Sequence, residues 1–90
     1  MSLWRVQIKN SAKGDLRRLK ASRLQARFLA IVDTLKADPF RPTDKFEKLR
    51  PHSQGFYSRR LNHQHRVVYR VDTEARIVTI YSAWTHYERP

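Results

Sequence analysis

The strongest constraint on the fold is the change of hydrophobic period along the chain. The last third holds three runs rich in β-branched and aromatic residues, at 56–61, 65–71 and 77–84. Only Asn62-His63-Gln64 and Asp72–Arg76 separate them, and connections this short join antiparallel strands. Near the start, Trp4, Val6 and Ile8 alternate with Leu3, Arg5, Gln7 and Lys9, the period of a strand with one buried face. Between these β segments the period becomes helical. Ala12, Leu16 and Leu19 share one face, and Leu24, Phe28, Ile31, Val32 and Leu35 form the stripe of a second helix. Ser11 or Asp15 is expected to cap the first helix and Ser22 the second. Asp38-Pro39 ends the second, because a proline disfavours helical geometry in the residue before it. The expected class is α+β, in the order β-α-α-β-β-β, with a helical hairpin packed on one face of a small, mainly antiparallel sheet. Residues 1–90 read as a single domain whose second sheet face stays open.

The chain has no Cys, which removes a disulfide framework, a thiolate metal site and a Cys nucleophile. The fold must rest on its own small core. No apolar run approaches the ~20 residues of a membrane span, and the alternating N-terminal segment is unlike a secretion signal. A soluble, cytoplasmic protein without a membrane partner is expected.

Lys and Arg total 19 against 8 Asp and Glu, a net charge of +11. Such a balance implies a polyanionic partner, most simply nucleic acid; an acidic protein also fits. Lys13, Arg17, Arg18, Lys20, Arg23 and Arg27 crowd the helical region, with Asp15 alone opposing them there. This density suits docking on a phosphate-rich surface with steep salt dependence. In the β half, Arg59, Arg60 and Arg66 are interleaved with Phe56, Tyr57, Tyr69, Tyr81 and Trp84, the mixture that binds single-stranded RNA through phosphates and stacked bases. Tyr69 and Trp84, inside apolar strands, are expected in the core.

Cleaving RNA without a metal needs a base for the 2′-hydroxyl, an acid for the leaving 5′-oxygen and fixed positive charge for the phosphorane. Glu47, with Asp44 one of two carboxylates between helix and sheet, is a candidate base. Arg60 and Arg66, on neighbouring strands, are candidate clamps, and His86 beyond the last strand is a candidate acid. Spacing alone does not show that these groups meet. His63 and His65 could share a face, but with no third ligand evident they read as a turn or strand-end pair rather than a metal site. His52 reads as a loop residue near Glu47.

The runs Phe46-Glu47-Lys48-Leu49, Gly55-Phe56-Tyr57-Ser58-Arg59-Arg60-Leu61, His65-Arg66-Val67-Val68-Tyr69 and Ser82-Ala83-Trp84-Thr85-His86-Tyr87-Glu88 together closely resemble the Txe/YoeB toxins of bacterial type II toxin–antitoxin systems. These belong to the RelE/ParE superfamily. The resemblance covers the second half in order; the first half matches in architecture and basicity. It implies a RelE-like fold and a ribosome-dependent mRNA endoribonuclease that cuts the A-site codon, with no cofactor and no metal. It implies Glu47 as general base, His86 as general acid and Arg66 as the transition-state arginine. Tyr87 would position substrate, and Arg60 would contact phosphate. Arg50 stands where relatives carry Lys, and Arg59 joins the substrate-binding cations. The basic helices would face the ribosome. The implied partners are a cognate YefM/Axe-like antitoxin with an acidic segment, the ribosome and mRNA. Operator DNA would be met only through the antitoxin complex, and some relatives are homodimers. The chain departs from relatives that end at the His-Tyr pair, since Glu88-Arg89-Pro90 follow, and from those with Trp where Tyr57 stands.

Two other functions fit less of the sequence. A ParE-like protein that binds DNA gyrase is expected to lack Glu47 and His86 together. A plain RNA-binding module would not explain an anion at Glu47 beside the RNA path.

Overall fold

The computed structural model describes residues 3–85, and side chains through Trp84. Strand β1 (Arg5–Ile8) leads through a short turn of 3-10 helix at Asn10–Ala12 into α1 (Lys13–Lys20) and α2 (Gln25–Ala37). Four strands follow: β2 (Glu47–Lys48), β3 (Phe56–Arg60), β4 (Arg66–Asp72) and β5 (Ile77–Thr85). They form one sheet in the order β1-β5-β4-β3-β2. The pairs β2/β3, β3/β4 and β4/β5 are antiparallel, and only β1/β5 is parallel, with Arg5 opposite Ile77 and Ile8 opposite Ile80. The expected α+β class is the one observed, and the two-residue β2 is an addition to it. A strand this short has too few residues to show alternation, and it lies in a Pro-flanked stretch.

The helical hairpin covers one sheet face because both layers carry an apolar stripe. From the helices come Leu19, Phe28, Ile31 and Leu35; from the strands come Val67, Tyr69, Val71, Val78 and Ile80, all buried in one cluster. Full burial of each Leu, Ile or Val side chain contributes about 1.5–3 kcal/mol. Tyr69 belongs to this core and Trp84 packs against it, as expected. A chain of rings, Trp4, Phe40, Tyr57 and Tyr69, extends it under the 38–46 segment.

The expected caps are only partly present. Neither Ser11 nor Asp15 caps α1; Ala12 holds the N-cap position without a side-chain bond. Ser22 ties the bend instead, donating from Oγ to the Leu19 carbonyl and accepting from the Leu24 N–H. Asp15 reaches across to β5, where its Oδ2 accepts from the Ala83 N–H at 3.0 Å. The cause lies in β5, whose register against β4 shifts twice between Ile80 and Thr85. Such bulges release backbone groups from the ladder, and the carboxylate satisfies one of them. Asp38 ends α2 in an extended conformation, and its side chain accepts the Phe40 N–H.

Candidate active site

Alternation on the strands separates core from site. On β3, Tyr57 and Arg59 face the helices with Tyr69 and Val67; Phe56, Ser58 and Arg60 face the open side with Arg70, Val68 and Arg66. Glu47 on β2 pairs with Ser58 and therefore shares the open face. Lys45, Phe46, Glu47, Arg60 and Arg66 line one hollow of ≈ 400 Å³ there. Three cations and one carboxylate give it a positive character.

Arg66 is held at three points. Its Nε donates to Ser58 Oγ at 3.0 Å, its Nη2 donates to the Lys45 carbonyl at 2.7 Å, and the same nitrogen lies 3.4 Å from Glu47 Oε2. Ser58 is fully buried, so the first contact is anchored in the sheet. The Lys45 carbonyl is available because Asp44 and Lys45 both adopt positive φ, 56° and 52°. Two such residues in succession are costly for side chains with a Cβ. Several contacts hold the kink: Arg27 Nη2 to Asp44 Oδ1 at 2.7 Å, the Arg60 N–H to the Asp44 carbonyl, and the Arg66 bond itself. The kink places β2, and with it Glu47, beside the Arg66 guanidinium.

The structure corrects the expectation for Arg59. It is 0% exposed and faces the core side, not the groove. Its guanidinium donates to the Tyr69 hydroxyl at 3.1 Å and to the carbonyls of Pro39 (3.1 Å), Arg41 (2.7 Å) and Thr43 (3.0 Å), with Asp44 Oδ2 at 3.6 Å. Arg59 thus fastens the 39–44 segment to the sheet. The physical reason is alternation: Arg59 and Arg60 are adjacent, so only one can face outward. Tyr69 in turn donates to the Pro39 carbonyl at 2.7 Å, and burial raises its phenol above the ordinary tyrosine value, with Arg59 opposing.

The other predicted residues disperse. Arg50 is exposed beyond β2 and lines a separate hollow with Pro51 and His52. Lys13, Arg17, Arg18, Lys20 and Arg23 are exposed on the helical hairpin, while Arg27 is committed to Asp44. His63 is exposed in its turn, and His65 is buried and stacked on Trp84 at 4.2 Å, so the two rings occupy different surroundings. His86 and Tyr87 lie outside the described residues. Ser58, Lys45 and Asp44 were not expected to support the site. For Ser58 a signal was available, as a small polar residue in the open-face phase of an aromatic strand.

A helical hairpin behind a β1-β5-β4-β3-β2 sheet is the RelE-like fold. The RelE–RelB complex of Pyrococcus horikoshii OT3 shares this fold at 24% identity, covering 99% of this chain and 100% of that chain with a TM-score of 0.77. Residues 15–87 match the family described as YoeB-like toxin of bacterial type II toxin-antitoxin system, and the chain belongs to that family. The toxin YoeB of Synechocystis sp. is 34% identical over 67 residues, 74% of this chain and 76% of its own length. Staphylococcus aureus YoeB, solved as a dimer, is 26% identical over 93% of this chain and 98% of that chain, with a TM-score of 0.79. Solved as a YoeB-YefM complex, it gives the same identity and coverage, with a TM-score of 0.76. No helix among the described residues is long and apolar enough to cross a membrane.

Proposed function

We propose that this toxin is a metal-independent endoribonuclease that enters the ribosomal A site and cuts the mRNA codon there. The observation that carries the reading is the Glu47–Arg66 pair, 3.4 Å apart in a cation-lined hollow on the open sheet face. A carboxylate in a positively charged hollow is paired with the two functions a phosphodiester needs: a proton acceptor and a phosphate clamp.

In this scheme a bound phosphodiester inserts between the two side chains. Glu47 takes the proton of the 2′-hydroxyl as its oxygen attacks phosphorus. Arg66, fixed by Ser58 and Lys45, carries the charge that builds on the phosphorane oxygens. Arg60, lining the same hollow, holds an adjacent phosphate. His86 gives a proton to the departing 5′-oxygen, and Tyr87 positions the nucleotide. The products are a 2′,3′-cyclic phosphate and a free 5′-hydroxyl. Every proton and charge in this sequence has a side chain, so the route calls on no metal. The exposed cations of α1 and the following bend dock on ribosomal RNA. A YefM-like antitoxin covers the basic surface in the cytoplasm, and the toxin pairs with a second copy as the S. aureus protein does.

The test is translation of a defined mRNA in a purified system, with 5′ ends mapped by primer extension. The wild-type chain cuts inside A-site codons. Glu47→Gln loses roughly 10²–10⁴-fold in rate, and Arg66→Met roughly 10²–10³-fold. Full activity in both variants overturns the mechanism. Intact mRNA together with inhibited gyrase supercoiling overturns the nuclease reading in favour of a ParE-like one.

A further inference from the structure

Two rings on the open sheet face have no role in the core. Phe56 and Tyr81 are half-exposed and do not pack against the buried cluster, unlike Trp4, Phe40, Phe46, Tyr57 and Trp84. They pack on each other, with centroids 4.9 Å apart and planes 74° apart. Lys9 Nζ lies 4.4 Å from the Tyr81 centroid. Arg70, opposite Phe56 in the β3/β4 ladder, is exposed and is held by a 3.0 Å bond from Nε to the Gln54 carbonyl. Among the described residues the carboxylates nearby on this face are Glu47, in the hollow, and Asp72, which lies beyond Arg70 and accepts the Ala75 N–H.

Register fixes how this aromatic step relates to the hollow. Phe56 lies two residues along β3 from Ser58, which contacts Arg66 and pairs with Glu47. Two residues of strand span about 7 Å. Arg66 and Arg70 stand four residues apart on the same face of β4, about 13 Å. The face therefore presents the clamp at one level and, about 7 Å along β3 from Ser58, the two rings, with Arg70 across the ladder from Phe56 and Lys9 over Tyr81. Exposed aromatics flanked by Lys and Arg are how sequence-tolerant sites hold unpaired nucleotides, with bases on rings and phosphates on cations.

We infer that Phe56 and Tyr81, with Lys9 and Arg70, form a second nucleotide subsite, where a base of single-stranded RNA flanking the cut linkage stacks. The inference rests on the nuclease reading for its ligand and adds a positioning surface to it. RNA is favoured over an acidic peptide because the rings share the open face with the Glu47–Arg66 pair, Phe56 lying about 7 Å along β3 from Ser58, within the reach of a neighbouring nucleotide.

The probe is a non-cleavable 2′-O-methyl RNA hexamer, with binding to the full chain followed by fluorescence anisotropy at low salt. Tyr81→Ala weakens binding about tenfold, while Tyr81→Phe, which keeps the ring, stays within about twofold of wild type. Arg70→Gln flattens the salt dependence. Thermal melts confirm that Tyr81→Phe and Tyr81→Ala are folded. Hexamer affinity that is indifferent to both Tyr81→Ala and Phe56→Ala, yet lowered by Arg66→Met, overturns the subsite and leaves the nuclease reading standing. Weakened binding of an acidic antitoxin peptide by Tyr81→Ala, with RNA binding intact, also overturns it. If the wild-type chain leaves translated mRNA uncut, the nuclease reading falls, and ring-dependent hexamer binding still supports the subsite.

Discussion

Replacing Arg59 with Met should be among the most damaging single changes in this protein, through stability rather than through substrate contact. The guanidinium is the hub for the Pro39, Arg41 and Thr43 carbonyls, the Tyr69 hydroxyl and the Asp44 carboxylate. Methionine fills most of the same volume, so the cavity penalty is small. The Arg41 and Thr43 carbonyls keep the N–H groups of Thr43 and Phe46 but each loses a charged donor, at about 1.5–3 kcal/mol for a bond to a charged group. Pro39 keeps the Tyr69 hydroxyl as a donor. Asp44 keeps Arg27 but loses the buried cation. The total is about 3–5 kcal/mol, the usual result of removing one partner from a buried charged network. For a domain of this size that lowers Tm by roughly 15–30 °C. Arg59→Lys keeps the charge but not the planar fork, and should fall between wild type and Met. Calorimetric or circular-dichroism melts of the three proteins, with hexamer affinity measured below each Tm, decide the matter. A Met variant that melts within about 2 °C of wild type while losing RNA affinity would refute the structural assignment and return Arg59 to the substrate surface.

Asp15→Ala should cost about 1.5–3 kcal/mol, the worth of a charged acceptor on the Ala83 N–H, seen as a lower urea midpoint at unchanged m-value; Asp15→Asn, which keeps an acceptor oxygen, should recover part of it. Gly55→Ala should destabilise by about 1 kcal/mol, since Gly55 sits at φ 71° and an added Cβ would meet the Val71 carbonyl at 3.4 Å, measurable in the same melts. Because the folded state holds the Tyr69 proton more tightly than the unfolded chain, its contribution is complete below pH ~10 and is lost as pH rises beyond that. Urea midpoints between pH 8 and 11 should fall for wild type and fall less for Tyr69→Phe, although Phe starts lower for lack of the Pro39 bond.

Periodicity made most of the architecture legible. The Leu24–Leu35 stripe supplies the buried Phe28, Ile31 and Leu35, and the three β-rich runs become β3, β4 and β5. The parallel pairing of β1 with β5 and the strand β2 were not legible, because nothing local encodes a partner 72 residues away or a strand of two residues. Glu47, Arg60 and Arg66 were readable as a chemical set from residue type, and the structure brings all three to one hollow. The choice between Arg59 and Arg60 could have been made from sequence: Val67 and Tyr69 fix the inward phase of the hairpin, and Arg59 shares it. The contacts that hold the site, Ser58 Oγ and the Lys45 carbonyl on Arg66, depend on a kink with positive φ at Asp44 and Lys45. Neither residue is the glycine that usually announces such a turn.

The pairing of β1 with β5 has a consequence for how the molecule comes into being. Among the described residues β1 has one sheet neighbour, at residues 77–80, so it stays without a strand partner until that segment has been made. Contacts this distant in sequence slow folding and tie it into one late, cooperative event. A chain that lacks residues 77–80 has no partner for β1 and cannot close this side of its sheet.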